Sequence, residues 1–270
     1  MNYRSLGYEP SGLNLATPPR FFPILISKKA LNVLRSSAQH ERHYSTITPF
    51  SSCVCHLQES IIKKRFNPKL NNPIFVEGLP GFGDIGKIAS ELLISFSEAK
   101  LFAEYYSPFF PDYVTTDNKG ICSPPHYEFY ASSPKKLSAV ILTGNSHPPL
   151  NNVVAHYNIC QEILDFAQNL GCTQVITIGG VPVSTNKGDV YVAATSKKLA
   201  AEIMTKGGII YGKGRIMGAT GLLLGLAKER GVSGICLLGA TDGMRSDKEA
   251  GSGVFQLLLK ILGQKSSHAM

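Results

Sequence analysis

The sequence predicts an α/β protein in which a mostly parallel sheet lies between two layers of helices, with extra strands at the sheet edge. Short runs rich in Val, Ile and Leu alternate with segments that carry apolar residues at helical spacing. The apolar runs are nearly continuous, which is typical of strands covered on both faces. The chain has 270 residues, 43% of them apolar, and this is enough to bury one such core.

The N-terminal segment, residues 1–71, differs in composition from the rest of the chain. It is rich in Ser, Asn, Pro and Arg and poor in acids. Residues 1–72 carry a net charge of +7, whereas residues 73–270 carry +1. We interpret this segment as an extension outside the domain: a presequence, a wrongly assigned start or a disordered tail. A short helix is expected around residues 60–65.

A single three-layer domain is expected over residues 72–263, followed by a flexible tail over 264–270. Four apolar runs predict its central strands, each followed closely by glycine. The predicted strands are Ile74–Val76, Ala139–Leu142, Val175–Ile178 and Ile235–Leu238. Because the carboxyl ends of parallel strands border a crevice in open sheets, the glycines there would let a ligand or another backbone come close.

Helices are predicted between these strands from the spacing of apolar residues and from capping residues. The first runs from Asp84 to Phe96, and the second covers residues 153–167 before Gly171. A third, around residues 199–204, ends near Gly207. The last is expected to begin with a capping box formed by Ser246 and Glu249 and to end near Gly263.

The helix predicted from Met217 to Arg230 carries three glycines on one face: Gly218, Gly221 and Gly225. Each glycine inside a helix costs about 1 kcal/mol relative to alanine. Close packing against this face would explain that cost. We expect the underlying sheet to supply the packing, with another subunit as the alternative.

An aromatic region separates the first helix from the second central strand. Its segments Phe102–Tyr106, Tyr113–Thr115 and Tyr127–Tyr130 alternate partly between aromatic and other residues, with turn residues between them. Aromatic residues favour strands. They predict extra strands, antiparallel at one edge of the sheet.

A glycine-rich turn joins the first strand to the first helix. Gly81-x-Gly83-x-x-Gly86 matches the dinucleotide fingerprint, but the acidic residue expected at the end of the next strand is missing. The same stretch matches most of a P-loop, except that Ile88 replaces the Ser or Thr that holds magnesium. The alternatives are a phosphate site and a strand-to-helix turn with no ligand. The candidate ligand crevice contains Gly81, Gly83, Asp84, Gly86, Lys87 and His147.

Charge and cysteine content exclude several classes of protein. A domain with a net charge of +1 lacks the basic footprint of nucleic-acid binding. No apolar run approaches the roughly 18 residues of a membrane helix. The six cysteines show no disulfide-framework spacing, which favours a reducing compartment. Cys53-Val54-Cys55-His56 could form half of a zinc site, but no second ligand pair follows, so no metal is expected.

No catalytic constellation is present in the sequence. His147 follows a strand end and is the one plausible acid–base residue. A serine elbow, a zinc motif and a close carboxylate pair are all missing. We therefore predict no catalytic residues and no cofactor.

Several segments, taken in order, resemble the proteasome assembly chaperone family. Val76–Lys87 resembles the opening signature of that family. It is followed by Gly179-Gly180, by the glycine segment 218–224, and by the late strand and turn 237–243. Asp247 and Ala250 then open the last helix. The resemblance covers about residues 72–263.

This resemblance implies a phosphorylase- or hydrolase-like α/β/α domain that self-associates and helps proteasome α-subunits form their ring. Members of the family are not established enzymes. Archaeal members that dock on the core particle end in a hydrophobic residue, a tyrosine and one more residue. This chain ends Ser267-His268-Ala269-Met270 and so departs from that pattern.

The sequence thus predicts a cytoplasmic, non-catalytic, homo-oligomeric scaffold that binds proteasome α-subunits or the core particle. Aromatic residues are enriched at interfaces, so the aromatic edge is the candidate interaction surface, with core packing as the alternative. It comprises Tyr105, Tyr106, Phe109, Phe110 and Tyr113. The alternative function is a small-molecule or nucleotide-binding enzyme of phosphorylase or hydrolase type that uses the strand-end crevice.

Overall fold

The computed structural model of the chain describes residues 59–133, 135–182 and 188–264. Its helices are α1 (Ile85–Phe96), α2 (Val153–Asn169), α3 (Lys197–Thr205), α4 (Gly218–Glu229) and α5 (Lys248–Ile261). Its strands are β1 (Ile61–Lys64), β2 (Ile74–Glu77), β3 (Lys100–Tyr106), β4 (Thr115–Thr116), β5 (Cys122–Ser123), β6 (Tyr127–Ala131), β7 (Ala139–Gly144), β8 (Gln174–Pro182), β9 (Val190–Ala194), β10 (Ile209–Ile210) and β11 (Ser233–Thr241). The half zinc site at 53–56 and the tail from 265 lie outside the described residues.

Nine strands form one mixed sheet in the order β1-β3-β6-β7-β2-β8-β11-β9-β10. Its four central strands, β7-β2-β8-β11, are parallel, as predicted. Antiparallel pairs join β1, β3, β6 and β7 on one side and β11 to β9 on the other. The α/β class is confirmed, and parallel pairing is found at the centre of the sheet and between β9 and β10 at one edge, so the sheet is mixed.

Helices cover both faces of the sheet, which gives the predicted three layers. On one face, α2 and α4 pack on Phe75, Phe102 and Phe129. On the other, α1 and α5 pack on Val76 and Ile141, with α3 beside them. Every residue of β7 is buried, which explains its continuous apolar sequence.

Residues 61–64 form an edge strand, where the sequence had suggested a short helix. β1 pairs antiparallel with β3, and Ile62 packs against the core on the α2 side. The main-chain N–H of Arg65 also donates to the carbonyl of Phe102 at 2.7 Å. The sheet therefore includes residues upstream of Asn72, the predicted start of the domain.

Two smaller predictions also need correction. Asp247, rather than Ser246, caps α5, because its carboxylate accepts from the N–H of Ala250 at 3.0 Å. The predicted strand Tyr113–Thr115 is reduced to Thr115–Thr116, which pairs with Cys122–Ser123 in a separate two-stranded sheet.

The glycine face of α4 does not pack on the sheet as predicted. Gly218 and Gly225 are exposed, and a Cβ added at either one would meet no heavy atom within 4 Å. At Gly221 a Cβ would lie 2.0 Å from the carbonyl oxygen of Ile216, so this glycine lets the preceding loop fold against the helix. The sheet is instead covered by Leu223 and Ala227.

Among the described residues, no helix combines the length and the apolar character needed to cross a membrane.

Candidate functional site

The loop between β11 and α5 contacts the glycine-rich turn and fixes its position. Gly83 has a φ of +66°, and the residues after β11 close over it. The N–H of Asp247 donates to the carbonyl of Gly83 at 2.9 Å, and the hydroxyl of Ser246 donates to the carboxylate of Asp84. Asp84 and Gly83 therefore belong to a loop–loop contact and do not line the crevice.

Lys87 also points away from the crevice. Its Nζ lies 3.9 Å from Oε1 of Glu91, one turn along α1, and both side chains are exposed. A P-loop lysine would reach over the turn toward a phosphate, and here the side chain runs along the outside of the helix. The phosphate interpretation of this turn has no support from the position of Lys87.

We expect Lys87→Ala to change the free energy of unfolding by less than about 0.5 kcal/mol, because exposed ion pairs at this spacing contribute little. The variant and the wild type should have the same affinity for inorganic phosphate. Urea denaturation and a phosphate titration would check both points. A phosphate affinity that depends on Lys87 would contradict the position of its side chain.

A cavity of about 600 Å³ lies beyond the carboxyl ends of β2 and β8, on the face covered by α2 and α4. Of the six predicted crevice residues, it is lined by Gly81, Gly86 and His147. Its apolar wall includes Leu79 and Ile159. The predicted crevice exists, but it opens toward α2 and α4 and leaves three of the predicted residues outside.

Glu77, the last residue of β2, lies in this cavity and is fully buried. Its Oε1 accepts from the N–H of Leu79 at 3.2 Å and from the hydroxyl of Thr220 at 3.4 Å. Its Oε2 has no hydrogen-bond partner among the described residues. Burial raises the pKa of Glu77 from 4.5 to about 7, and the hydrogen bonds from Leu79 and Thr220, with the nearby main chain of Ile178, limit the rise.

Tyr127 presents a second unsatisfied group to the same cavity. Its side chain is fully buried, and within the described ranges its hydroxyl has no hydrogen-bond partner. Burial raises the pKa of Tyr127 well above its ordinary value, and the nearby Glu77 adds to the rise. Most buried polar groups in proteins have partners, so two such groups in one cavity indicate a binding site.

Two further side chains with possible chemical roles, His147 and Cys160, also line the cavity. His147 is exposed, and its Nδ1 lies 3.0 Å from the carbonyl of Pro148. Burial raises the pKa of the Cys160 thiol far above neutrality, so it is not a thiolate. Within residues 59–133, 135–182 and 188–264, no group of three or more His, Cys, Asp or Glu could hold a metal ion.

A second concavity, of about 510 Å³, lies over β1 and α2 and carries three carboxylates. Two of them already have partners. Glu162 accepts from the hydroxyl of Tyr105 at 2.8 Å, and Asp165 pairs with Arg230 at 2.6 Å. Because its polar groups are satisfied or solvated, this concavity is a weaker candidate than the one at Glu77.

The residues of the predicted aromatic interaction surface range from fully buried to exposed. Tyr105 is fully buried and stacks on Tyr127 with ring centroids 6.0 Å apart. Phe109 and Phe110 are partly buried against the same cluster, and Tyr106 stacks on His126. Only Tyr113 of the five is largely exposed, at 46%. Core packing, the alternative that the sequence left open, describes Tyr105 best.

A group of five exposed apolar residues lies at the cavity and on the neighbouring start of α2. Their exposed fractions range from 46% to 80%. This rim patch consists of Leu150, Val153, Val154, Tyr157 and Met217. Leu150 and Met217 line the cavity itself, and the other three occupy the first turns of α2. Contiguous exposed apolar residues mark surfaces that contact other proteins.

Sequence reasoning missed Glu77 and the rim patch. A usable signal existed for the first, because Glu77 is an ionisable residue directly after three apolar strand residues. A signal for the second also existed, since Val153, Val154 and Tyr157 precede the buried face of α2. Neither signal could show which side of its element would be covered.

Several known proteins are similar to this chain in sequence and fold. The PAC2 family matches residues 75–269. The crystal structure of Pyrococcus furiosus PbaB, an archaeal proteasome activator, is similar at 37% identity and a TM-score of 0.72, covering 77% of this chain and 90% of that one. P. furiosus PbaA, an archaeal homologue of proteasome-assembly chaperone, is similar at 28% identity and a TM-score of 0.65, covering 78% and 84%.

A protein of Methanocaldococcus jannaschii, described only as uncharacterized, is 33% identical over 196 residues, which cover 71% of this chain and 74% of that protein. The PAC2 match over residues 75–269 includes the glycine-rich turn and the residues that line the cavity. The chain therefore belongs to the PAC2 family.

Proposed function

We propose that this protein is a non-catalytic, self-associating scaffold of the cytoplasm that binds proteasome α-subunits and assists their assembly. The observation that carries the proposal is the similarity to PbaB at 37% identity over 90% of its length. Similarity to PbaA, named as a homologue of proteasome-assembly chaperone, supports the same function. The enzyme alternative has no support, since the cavity offers neither an activated nucleophile nor a metal cluster among the described residues.

The rim patch is the surface that we propose contacts a proteasome subunit. A scaffold that acts without chemistry depends on apolar surface that a partner can cover. The patch is formed by two separate segments, Leu150–Tyr157 and Met217, which the fold brings to one cavity mouth. It replaces the aromatic edge as the candidate surface because its side chains are accessible.

The direct experiment is native mass spectrometry of the full chain, alone and mixed with proteasome α-subunits from the same source. We expect a defined homo-oligomer that also captures α-subunits. A chain that forms the oligomer but ignores α-subunits would contradict the assembly role. A monomer that still captures α-subunits would contradict self-association but not the assembly role.

We expect the double variant Val153→Asp, Val154→Asp to weaken α-subunit capture about tenfold or more, because a partner that covers this surface would have to bury two unpaired carboxylates. The fold should be retained, because both residues are exposed and acidic residues are favourable in the first turn of a helix. Capture is measured by titration in native mass spectrometry, and stability by thermal unfolding.

Met204→Asp is the matched control. Met204 is 50% exposed and lies on α3, on the opposite face of the sheet from α2. The control should leave capture unchanged. Equal loss in both variants, or no loss in the double variant, would show that the rim patch is not the contact. A change in oligomer size with intact capture would assign the patch to self-association.

A further inference from the structure

The cavity at Glu77 combines three features that indicate a ligand site. It is a concave space of about 600 Å³ at the carboxyl edge of the sheet, where α/β proteins bind ligands. It contains a fully buried carboxylate with one oxygen unpaired among the described residues. It also contains a buried hydroxyl in the same condition, that of Tyr127.

No cation in the described part of the chain neutralises Glu77. None of its ion pairs involves this carboxylate. Arg215 lines the cavity but is exposed, and His147 is exposed as well. A buried carboxylate without a partner is costly, so the natural complement of Glu77 is a positive charge from outside the described residues.

A metal ion is a poor complement, since the described residues hold no suitable ligand cluster and Glu77 is the one carboxylate that lines the cavity. The remaining walls favour an organic cation. Leu79, Ile159 and Val181 supply apolar surface, and the hydroxyl of Tyr127 can accept a hydrogen bond from an ammonium group.

We propose that this cavity binds a small molecule that carries a primary amine on an apolar body. The ammonium donates to Oε2 of Glu77 and to the hydroxyl of Tyr127, and the body packs on Leu79, Ile159 and Val181. The proposal concerns a binding site and involves no bond making or breaking. It does not depend on the proteasome function, because it rests on the cavity alone.

Three probes of similar size and different charge test it: 2-phenylethylamine, 2-phenylethanol and 3-phenylpropionate. Each is titrated into the full chain at about pH 8, which is above the raised pKa of Glu77, about 7, and below that of the amine, so that both groups are charged. Isothermal titration calorimetry and protein-observed NMR give the affinities. We expect the amine to bind at least about tenfold more tightly than either of the other two, as hydrogen bonds to charged groups are the stronger ones.

Variants assign that affinity to the cavity. Glu77→Gln should weaken amine binding about 10–100-fold, and Tyr127→Phe about fivefold. Tyr127→Phe removes a hydroxyl that has no partner in the described structure, so its fold should be retained even if Glu77→Gln is impaired. Glu91→Gln, an exposed Glu on α1 outside the cavity, is the matched control and should bind like the wild type.

The proposal is overturned by any of four results. These are no binding of the amine at low millimolar concentration, equal or tighter binding of the alcohol or the acid, unchanged amine affinity in Tyr127→Phe and Glu77→Gln, and a crystal structure in which the probe leaves an ordered water on Glu77 and Tyr127. The amine seated between these two groups in the crystal, with the predicted order of affinities, would establish the site.

Discussion

Gly86→Ala is expected to lower the free energy of unfolding by about 3 kcal/mol or more, although it adds only a single methyl group. A Cβ at this position would lie 2.5 Å from the carbonyl oxygen of Ile178 and 2.7 Å from that of Leu79. Both obstacles are backbone atoms, so relief would require α1 to move away from β8. The gain in helix propensity, about 1 kcal/mol, is too small to compensate.

Gly81→Ala provides the control within the same turn. Gly81 is exposed, its φ of 179° is extended, and a Cβ there would meet no heavy atom within 4 Å. We expect a change of less than about 0.5 kcal/mol. Urea denaturation of both variants measures the contrast, and thermal unfolding should show a drop of about 6–12 °C for Gly86→Ala alone. Comparable stability of the two variants would show that the glycines of the turn do not serve close helix–strand packing.

The second large effect concerns the pH dependence of stability. Glu77 has a pKa of 4.5 as an ordinary glutamate and about 7 in the folded protein, because burial disfavours its charged form. The folded state then binds more protons than the unfolded state between these values. The contribution of Glu77 to the free energy of unfolding is therefore fully present below about pH 4.5, decreases as the pH rises and levels off above about pH 7. The total loss is about 3 kcal/mol.

Comparison of the wild type with Glu77→Gln isolates this contribution, since the other titrating groups are shared. We expect Glu77→Gln to gain about 3 kcal/mol relative to the wild type between pH 4.5 and pH 8, measured as the free energy of unfolding in urea at several pH values. Tyr127 and Cys160, the titratable neighbours in the buried cluster, stay neutral over this range because burial raises their pKa values.

Parallel stability curves for the two proteins would contradict the prediction and would mean that the carboxylate is compensated in solution. A tightly bound amine that survives purification would have that effect. Mass spectrometry under native conditions distinguishes the two explanations, since a retained ligand adds its mass to the protein. The wild type would then regain the expected slope after unfolding, dialysis and refolding.

The elements of this protein could be predicted because they follow from local patterns. Runs such as Val175–Ile178 are apolar on both faces, and this is sufficient to identify a buried strand. The apolar spacing between residues 153 and 167, with Gly171 beyond it at a φ of +81°, identifies α2 and its end. The fold class and the family resemblance rest on such features, and both are confirmed.

The outer strands were harder to predict because their partners are distant in sequence. β1 is stabilised by β3, about 40 residues along the chain, and no local signal separates its four residues from a short helix. The sequence pattern around Tyr105 is that of an edge strand. Its hydroxyl nevertheless hydrogen-bonds Ser60, earlier in the chain, and Glu162, later in the chain. An aromatic side chain has the same pattern in a core and at an interface, so the pattern could not distinguish them.

By itself, the sequence determined the three-layer α/β class, the central strands, the helices that cover them and the membership of a family, because hydrophobic periodicity and ordered glycine segments are properties of the chain. Only the tertiary structure decided that Lys87 points outward, that Glu77 is buried with no counter-charge among the described residues, and that exposed apolar side chains such as Leu150 and Met217 border the cavity. The physical reason is that burial, and with it the cost of a charge or the availability of a surface, depends on which segments the fold brings together.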